Sequence, residues 1–131
     1  MITIQEENSL SLNDFIFLLD DSGLGKRRPM DDLKLLQKMV EGANFWVTAR
    51  NNGDLVGVIR GLSDRCYRCF IADLAISKDF QKQGIGTRML EYVRNGYPEA
   101  RIFLFSAEDA EPFYLKLGFK LHDRCYQWKR E

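Results

Sequence analysis

The strongest constraint on the fold is a four-residue turn. Asn51-Asn52-Gly53-Asp54 separates Phe45-Trp46-Val47-Thr48-Ala49-Arg50 from Leu55-Val56-Gly57-Val58-Ile59-Arg60. The Asn-Gly pair tolerates the positive φ that a tight turn between antiparallel strands requires, so the two runs are expected to form a hairpin. Cys66 to Ile76 reads as a third, longer strand following that hairpin. The centre of the chain is therefore an antiparallel meander.

The flanking segments have other periods. Ile2-Thr3-Ile4-Gln5 alternates like a short strand. Ser11 precedes Leu12, Phe15, Ile16, Leu18 and Leu19, the pattern of an amphipathic helix with a hydroxyl cap, and Ser22-Gly23-Leu24-Gly25 breaks it. Pro29 suits the first turn of a second helix with Leu33, Leu36, Met39 and Val40 on one face. After the meander, Ile85, Met89, Leu90 and Val93 mark a third helix, closed by Pro98. Arg101-Ile102-Phe103-Leu104-Phe105 has the nearly continuous apolar core of a centrally placed strand. Pro112 opens a last helix carrying Phe113, Tyr114 and Leu117, and Gly118 ends it. Phe119 to Trp128 supplies one or two terminal strands. The order β-α-α-β-β-β-α-β-α-β(-β) is an α/β chain with a mixed sheet, in which a meander is followed by a β-α-β crossover.

Length and composition exclude several classes. The 131 residues fit one domain, 1–131, able to bury roughly two thirds of its surface. Basic and acidic residues both number 19, so the counterion-displacing excess of a nucleic-acid binder is missing. Three cysteines do not make a disulfide scaffold. The longest apolar run, Phe15 to Leu19, is far short of the ~20 residues that span a bilayer. Met1 to Glu7 lacks the basic start and apolar stretch of a signal peptide, so a cytoplasmic protein is expected.

The segment between the third strand and the Ile85 helix carries the chemistry. Gly84 and Gly86 remove side chains where backbone N–H groups leave the first helical turn, and with the helix dipole those groups suit a phosphate or pyrophosphate. The alternative is a tight connection with no ligand. A dinucleotide fingerprint fails because its third glycine would fall at Met89 and because Lys78-Asp79-Phe80-Gln81 intervenes after the strand. A Walker loop fails because Gly25-Lys26-Arg27 lacks the hydroxyl and the upstream glycine.

Gln81-Lys82-Gln83-Gly84-Ile85-Gly86 matches the Q/R-x-x-G-x-G/A pyrophosphate loop of the Gcn5-related N-acetyltransferases, the GNAT family. Asp73-Leu74-Ala75-Ile76-Ser77-Lys78-Asp79-Phe80 resembles the strand before that loop. Phe113-Tyr114-Leu115-Lys116-Leu117-Gly118-Phe119 resembles the family's F-Y-x-x-x-G-F segment. The element order resembles that fold over essentially the whole chain. One position departs: the asparagine many members carry seven residues before the tyrosine is Ala107 here.

The resemblance implies an acetyl-CoA-dependent N-acetyltransferase that moves the acetyl group directly to a primary amine of a small molecule or protein in a ternary complex, without a metal. It implies acetyl-CoA held by the loop residues Gln81, Lys82, Gln83, Gly84, Ile85, Gly86 and Thr87, and by the backbone of Leu74, Ala75 and Ile76 alongside the pantetheine. Such a strand would splay from Arg101–Phe105, and one of its N–H groups would polarise the thioester. Tyr114 is the candidate acid for the departing thiolate, since a phenol with pKa near ~10 is protonated at working pH; plain packing is its alternative. Asp73, an acid interrupting an apolar strand, is the candidate base. Its alternatives are an ion pair to Arg65, Arg68 or another cation, with a water chain as the base. Parity does not decide, because a bulge commonly breaks this strand in the family.

The connection between the first two helices, which usually shapes the acceptor site in this fold, holds Lys26-Arg27-Arg28. These cations either recognise an acceptor anion or form a solvated loop. Cys66 and Cys69 with His122 and Cys125 have metal-ligand types, but residues three apart on a strand face opposite sides, so no metal site is expected. The family often pairs as homodimers, which leaves a homodimer open. A non-catalytic acyl-CoA-binding module is the second functional reading, with Ala107 as its symptom.

Overall fold

The computed structural model describes residues 1–130. Its central hairpin joins β2 (Phe45–Asn51) to β3 (Asp54–Ser63), and Asn52 and Gly53 both take positive φ, 52° and 95°. β1 (Ile2–Glu7) pairs with β2, and β4 (Arg68–Ile76) pairs with β3, all antiparallel. β5 (Arg101–Leu104) adds a parallel neighbour to β4, giving the order β1-β2-β3-β4-β5. The sheet is mixed and the meander-plus-crossover topology is as read from the sequence.

Two helices cover one face. α1 (Leu12–Ser22) starts where the Ser11 hydroxyl accepts the Asp14 N–H at 3.1 Å and stops at Gly23, whose φ of 89° no helix continues. A single 3-10 turn, Leu24–Arg27, follows. α2 (Leu33–Gly42) begins later than Pro29 suggests: the Asp32 carboxylate accepts the Leu35 N–H at 3.0 Å, and this cap fixes the start, leaving Pro29 in the preceding turn. Phe15, Leu18, Leu19 and Leu36 bury against Trp46, Val58 and Ala75 of the sheet. Phe15 and Trp46 meet edge to face at 5.6 Å.

On the other face, α3 (Ile85–Gly96) buries Ile85, Met89, Leu90 and Val93 against Phe45, Val47, Ile59, Cys69 and Ile71. α4 (Glu111–Leu117) rests on the same layer through Tyr114 and Leu117 and ends at Gly118. No helix among the described residues is long and apolar enough to cross a membrane.

Three further expectations need correction. β5 is an edge strand among the described residues, not a central one. Residues 119–130 form no strand: Phe119 packs on the core, but Leu121, Tyr126 and Trp128 are exposed, and interspersed charges leave no apolar face to hold the segment against the four-residue β5. Cys66 lies in the turn before β4, where the Asp64 carboxylate accepts the N–H groups of Cys66, Tyr67 and Arg68. Cys66 is exposed while Cys69 is buried on β4.

Candidate active site

The site begins with an unfinished ladder. β4 and β5 pair only over Arg68–Ile71 and Arg101–Leu104, whereas β4 runs on to Ile76. The second half of β4 therefore has β3 on one side and no strand on the other; Ala72 O and Ile76 O accept from side chains, and the remaining backbone groups on that side are available to a ligand that adds like a strand. Leu74, Ala75 and Ile76 lie in this half.

A bulge decides which way its side chains point. Arg60 pairs with Asp73 and Gly61 with Ile71, so Ala72 is the extra residue on β4. Cys69 and Ile71 join the α3 layer before the bulge, and Ala75 joins the α1–α2 layer after it. Leu74 and Ile76 pack toward α3. The face switch puts Asp73 under the α1–α2 connection.

At the end of β4 the chain turns through Lys78–Phe80 into the glycine loop. The Gln81 amide donates to Ile76 O at 2.8 Å and to Ser22 O at 3.1 Å, stapling the loop to β4 and to the end of α1. The Asp21 carboxylate accepts from the Ser77 hydroxyl and the Lys78 N–H, bonds that lower its pKa. The Gln83 amide donates to Asp79 O. These side chains shape the loop and spend the Gln81 and Gln83 amide groups on the protein's own carbonyls.

Gly84 and Gly86 have different reasons to be glycine. Gly84 has a φ of 82° and open space around it, so conformation is its constraint; Lys82 also takes a positive φ, 63°. A Cβ on Gly86 would point at the Phe113 ring, 3.4 Å away, and at Leu74, 3.9 Å away, so Gly86 keeps space open between α4 and β4. No side chain caps α3 and no acid stands in its first turn; its first backbone bond is Arg88 N–H to Gly84 O at 3.1 Å. The N–H groups of Ile85, Gly86 and Thr87 thus end the helix with its positive pole uncompensated, which fits the pyrophosphate of a coenzyme A.

A cleft of about 560 Å³ beside the first residues of this half of β4 is lined by Arg27, Arg28, Arg60, Asp73, Leu74 and Tyr114, among others. Asp73 is fully buried and both its oxygens are taken, one by Arg28 Nε at 2.6 Å and the other by Arg60 Nε. Arg28 also donates to Ala72 O at 3.1 Å and to Arg27 O at 2.8 Å. Asp73 is thereby the ion-pair centre left open above, with Arg28 and Arg60 in place of Arg65 and Arg68. Arg65 instead reaches Glu6, and Arg68 stacks on Tyr67 at 3.9 Å. Both acceptor faces of the carboxylate are occupied, which speaks against its use as the base.

Tyr114 lies in the same cleft, held edge to face by Phe113 at 5.0 Å and Phe119 at 5.5 Å. Burial raises its phenol pKa, so the hydroxyl keeps its proton at neutral pH. Ala107 lines the cleft as well and brings no polar side chain to it.

Sequence reasoning missed Arg60 altogether and read Arg28 only within the Lys26-Arg27-Arg28 run, as an acceptor-anion site or a solvated loop and not as a partner of Asp73. A usable signal was present: Arg60 is a lone cation in the apolar run Val58-Ile59-Arg60-Gly61-Leu62, as Asp73 is a lone anion in the next strand. The extra residue at Ala72 hid their opposition in register.

Comparison with known proteins bears on the family and the fold. The sequence model of the acetyltransferase (GNAT) domain matches residues 41–121, more than half of the chain. An uncharacterized N-acetyltransferase of Pyropia yezoensis is 30% identical over 122 residues, covering 90% of this chain and 70% of that protein. A probable N-acetyltransferase of Mycobacterium tuberculosis is 30% identical over 93 residues, covering 67% of this chain and 53% of that protein. A GNAT family protein of Streptococcus pneumoniae superposes with a TM-score of 0.79 at 24% identity over the full length of both chains. The aminoglycoside N-acetyltransferase AAC(6')-Iy, solved with CoA, superposes with a TM-score of 0.69 at 14% identity, covering 99% of this chain and 95% of that one. The domain match and the Pyropia relative each suffice for the assignment: the chain belongs to the GNAT acetyltransferase family.

Proposed function

We propose that the protein transfers the acetyl group of acetyl-CoA to a primary amine, both substrates being bound together. The observation that carries this reading is the course of β4. Its half without a β5 partner leads from Asp73 and Leu74, which line one cleft with Tyr114, to the turn before the uncapped start of α3. The N–H groups of Ile85, Gly86 and Thr87 hold the pyrophosphate, and the loop residues Gln81, Lys82, Gln83 and Gly84 present them. The backbone of Leu74, Ala75 and Ile76 orients the pantetheine as an added strand, and an unpaired N–H there polarises the thioester carbonyl.

Bound there, acetyl-CoA supplies an activated acetyl group and a thiolate leaving group. Tyr114 holds a proton at its phenolic oxygen for that thiolate. Asp73 keeps Arg28 and Arg60 in place and is a positioning residue, so the proton of the attacking amine leaves through water.

Release of thiol from acetyl-CoA over a panel of amines, for the wild type and Tyr114→Phe, tests this. The substitution keeps the ring and its packing and removes one proton donor. Turnover is expected to fall about 10²–10⁴-fold, the usual contribution of a positioned acid, with acetyl-CoA affinity within a few-fold. Unchanged turnover where chemistry limits the rate would reduce the phenol to packing. Acetyl-CoA binding with no thiol release from any amine would favour the non-catalytic reading that Ala107 suggests.

A further inference from the structure

The arginines at the acceptor end exceed what the fold needs. Asp73 brings one negative charge to the wall on which Arg27, Arg28 and Arg60 bring three positive ones. Arg60 is nearly buried, its side chain 11% exposed, with its guanidinium 5.8 Å from the centre of the Phe15 ring. Its Nε is spent on Asp73, and neither terminal amino group has a hydrogen-bond acceptor among the described residues. No buried side-chain nitrogen among the described residues lacks a partner, so these amino groups reach the cleft that Arg60 lines. Arg27 has no ion-pair or side-chain hydrogen-bond partner among the described residues and faces the same space. Glu108 and Asp109 do not line this cleft; with Arg27 and Ala107 they line an adjoining pocket.

We infer that the acceptor carries, besides its amine, an oxyanion (carboxylate or phosphate) seated by Arg27, Arg28 and Arg60. This rests on the acetyltransferase reading and names its substrate class. Coenzyme A does not account for these cations, because none of residues 81–87 lines this end of the cleft and the pantetheine that links the two ends is uncharged. Asp73 fixes the two inner guanidiniums through Nε and leaves the terminal amino groups of Arg60 without a protein acceptor, the fork that pairs with planar or tetrahedral oxyanions. The three-cation run in the α1–α2 connection is therefore split in use: Arg28 is turned inward, Arg27 stands at the entrance, and Lys26 does not line the cleft.

Matched acceptors test this: an alkyl amine, the same chain ending in a carboxylate, its methyl ester, and the aminoalkyl phosphate. With the wild type, kcat/KM for the carboxylate or the phosphate should exceed that for the ester about tenfold to a hundredfold, the range for hydrogen bonds to a charged group. The larger of the two identifies the oxyanion. Arg27→Gln, which breaks no contact within the protein, should collapse that preference by about tenfold, while calorimetry shows acetyl-CoA still bound. Equal rates with acid and ester would overturn the inference and leave the acetyltransferase reading standing. No thiol release from any acceptor would count against the parent reading. Titration of the carboxylated and phosphorylated amines into the CoA-loaded protein then decides alone: saturable heat lost in Arg27→Gln upholds the oxyanion site, and absence of heat overturns it.

Discussion

The chain up to Val93 and the chain after it are built differently. Every fully buried apolar side chain among the described residues lies between Leu10 and Val93. After Val93, β5, α4 and the closing segment contribute only partly buried ones, such as Leu104, Tyr114 and Phe119. The first part is a two-sided core around the meander, and the second is a thin wall leaning on it. The cleft lies between them. The lesson is that the deeply buried part carries the arginine–aspartate cluster and the glycine loop, while the wall carrying Tyr114 is held by fewer buried apolar contacts.

The largest test of that contrast is a pair of core substitutions. Trp46→Ala, at 1% exposure and in edge contact with Phe15, should cost about 3–5 kcal/mol in urea unfolding. Phe113→Ala in the wall, already 37% exposed, should cost about 1–2 kcal/mol. Equal costs would erase the distinction.

Next comes the junction. Asp73→Asn removes the anion from two guanidiniums beneath the α1–α2 connection and should destabilise by about 3 kcal/mol. A base would instead show as lost turnover at unchanged stability, so the two roles of Asp73 separate in one variant.

The smallest effect lies at the far edge of the meander. The Arg50 guanidinium, with hydrogen bonds from Thr48 and Gln5, holds the Glu7 carboxyl at about 2, below its ordinary 4.5. Because the folded value is the lower, Glu7 stabilises above about pH 4.5 and loses that contribution as pH falls toward 2. Partial exposure limits it to about 1 kcal/mol. Acid unfolding of Glu7→Gln should be flatter across that window than that of the wild type.

Much of this was legible in the residues. The Asn52-Gly53 turn, the Ser11 cap and the α3 face carry their signals locally, within one turn of chain. The glycine loop was legible for the same reason, since its geometry is set by consecutive residues. What was hidden depends on distant residues meeting. The Ala72 bulge reverses the facing of Asp73, and only register with β3 shows that Arg60 is its partner. The Asp32 cap outweighed Pro29, because a side chain that satisfies an orphan N–H fixes a helix start more firmly than a favourable φ. Phe119 to Trp128 alternates in part, but an alternating segment becomes a strand only beside a neighbour.

The central claim is that the cleft between β4 and the α4 wall receives acetyl-CoA through the Gln81–Thr87 loop. Calorimetric titration of acetyl-CoA into the wild type and Gly86→Val tests it most directly. Valine methyls would fill the space toward Phe113 and Leu74 that Gly86 keeps open. The expected result is saturable binding to the wild type, weakened about tenfold or more in a variant that still unfolds cooperatively, the cost of losing a hydrogen bond to a charged group. A folded Gly86→Val protein that binds acetyl-CoA as tightly as the wild type would contradict it.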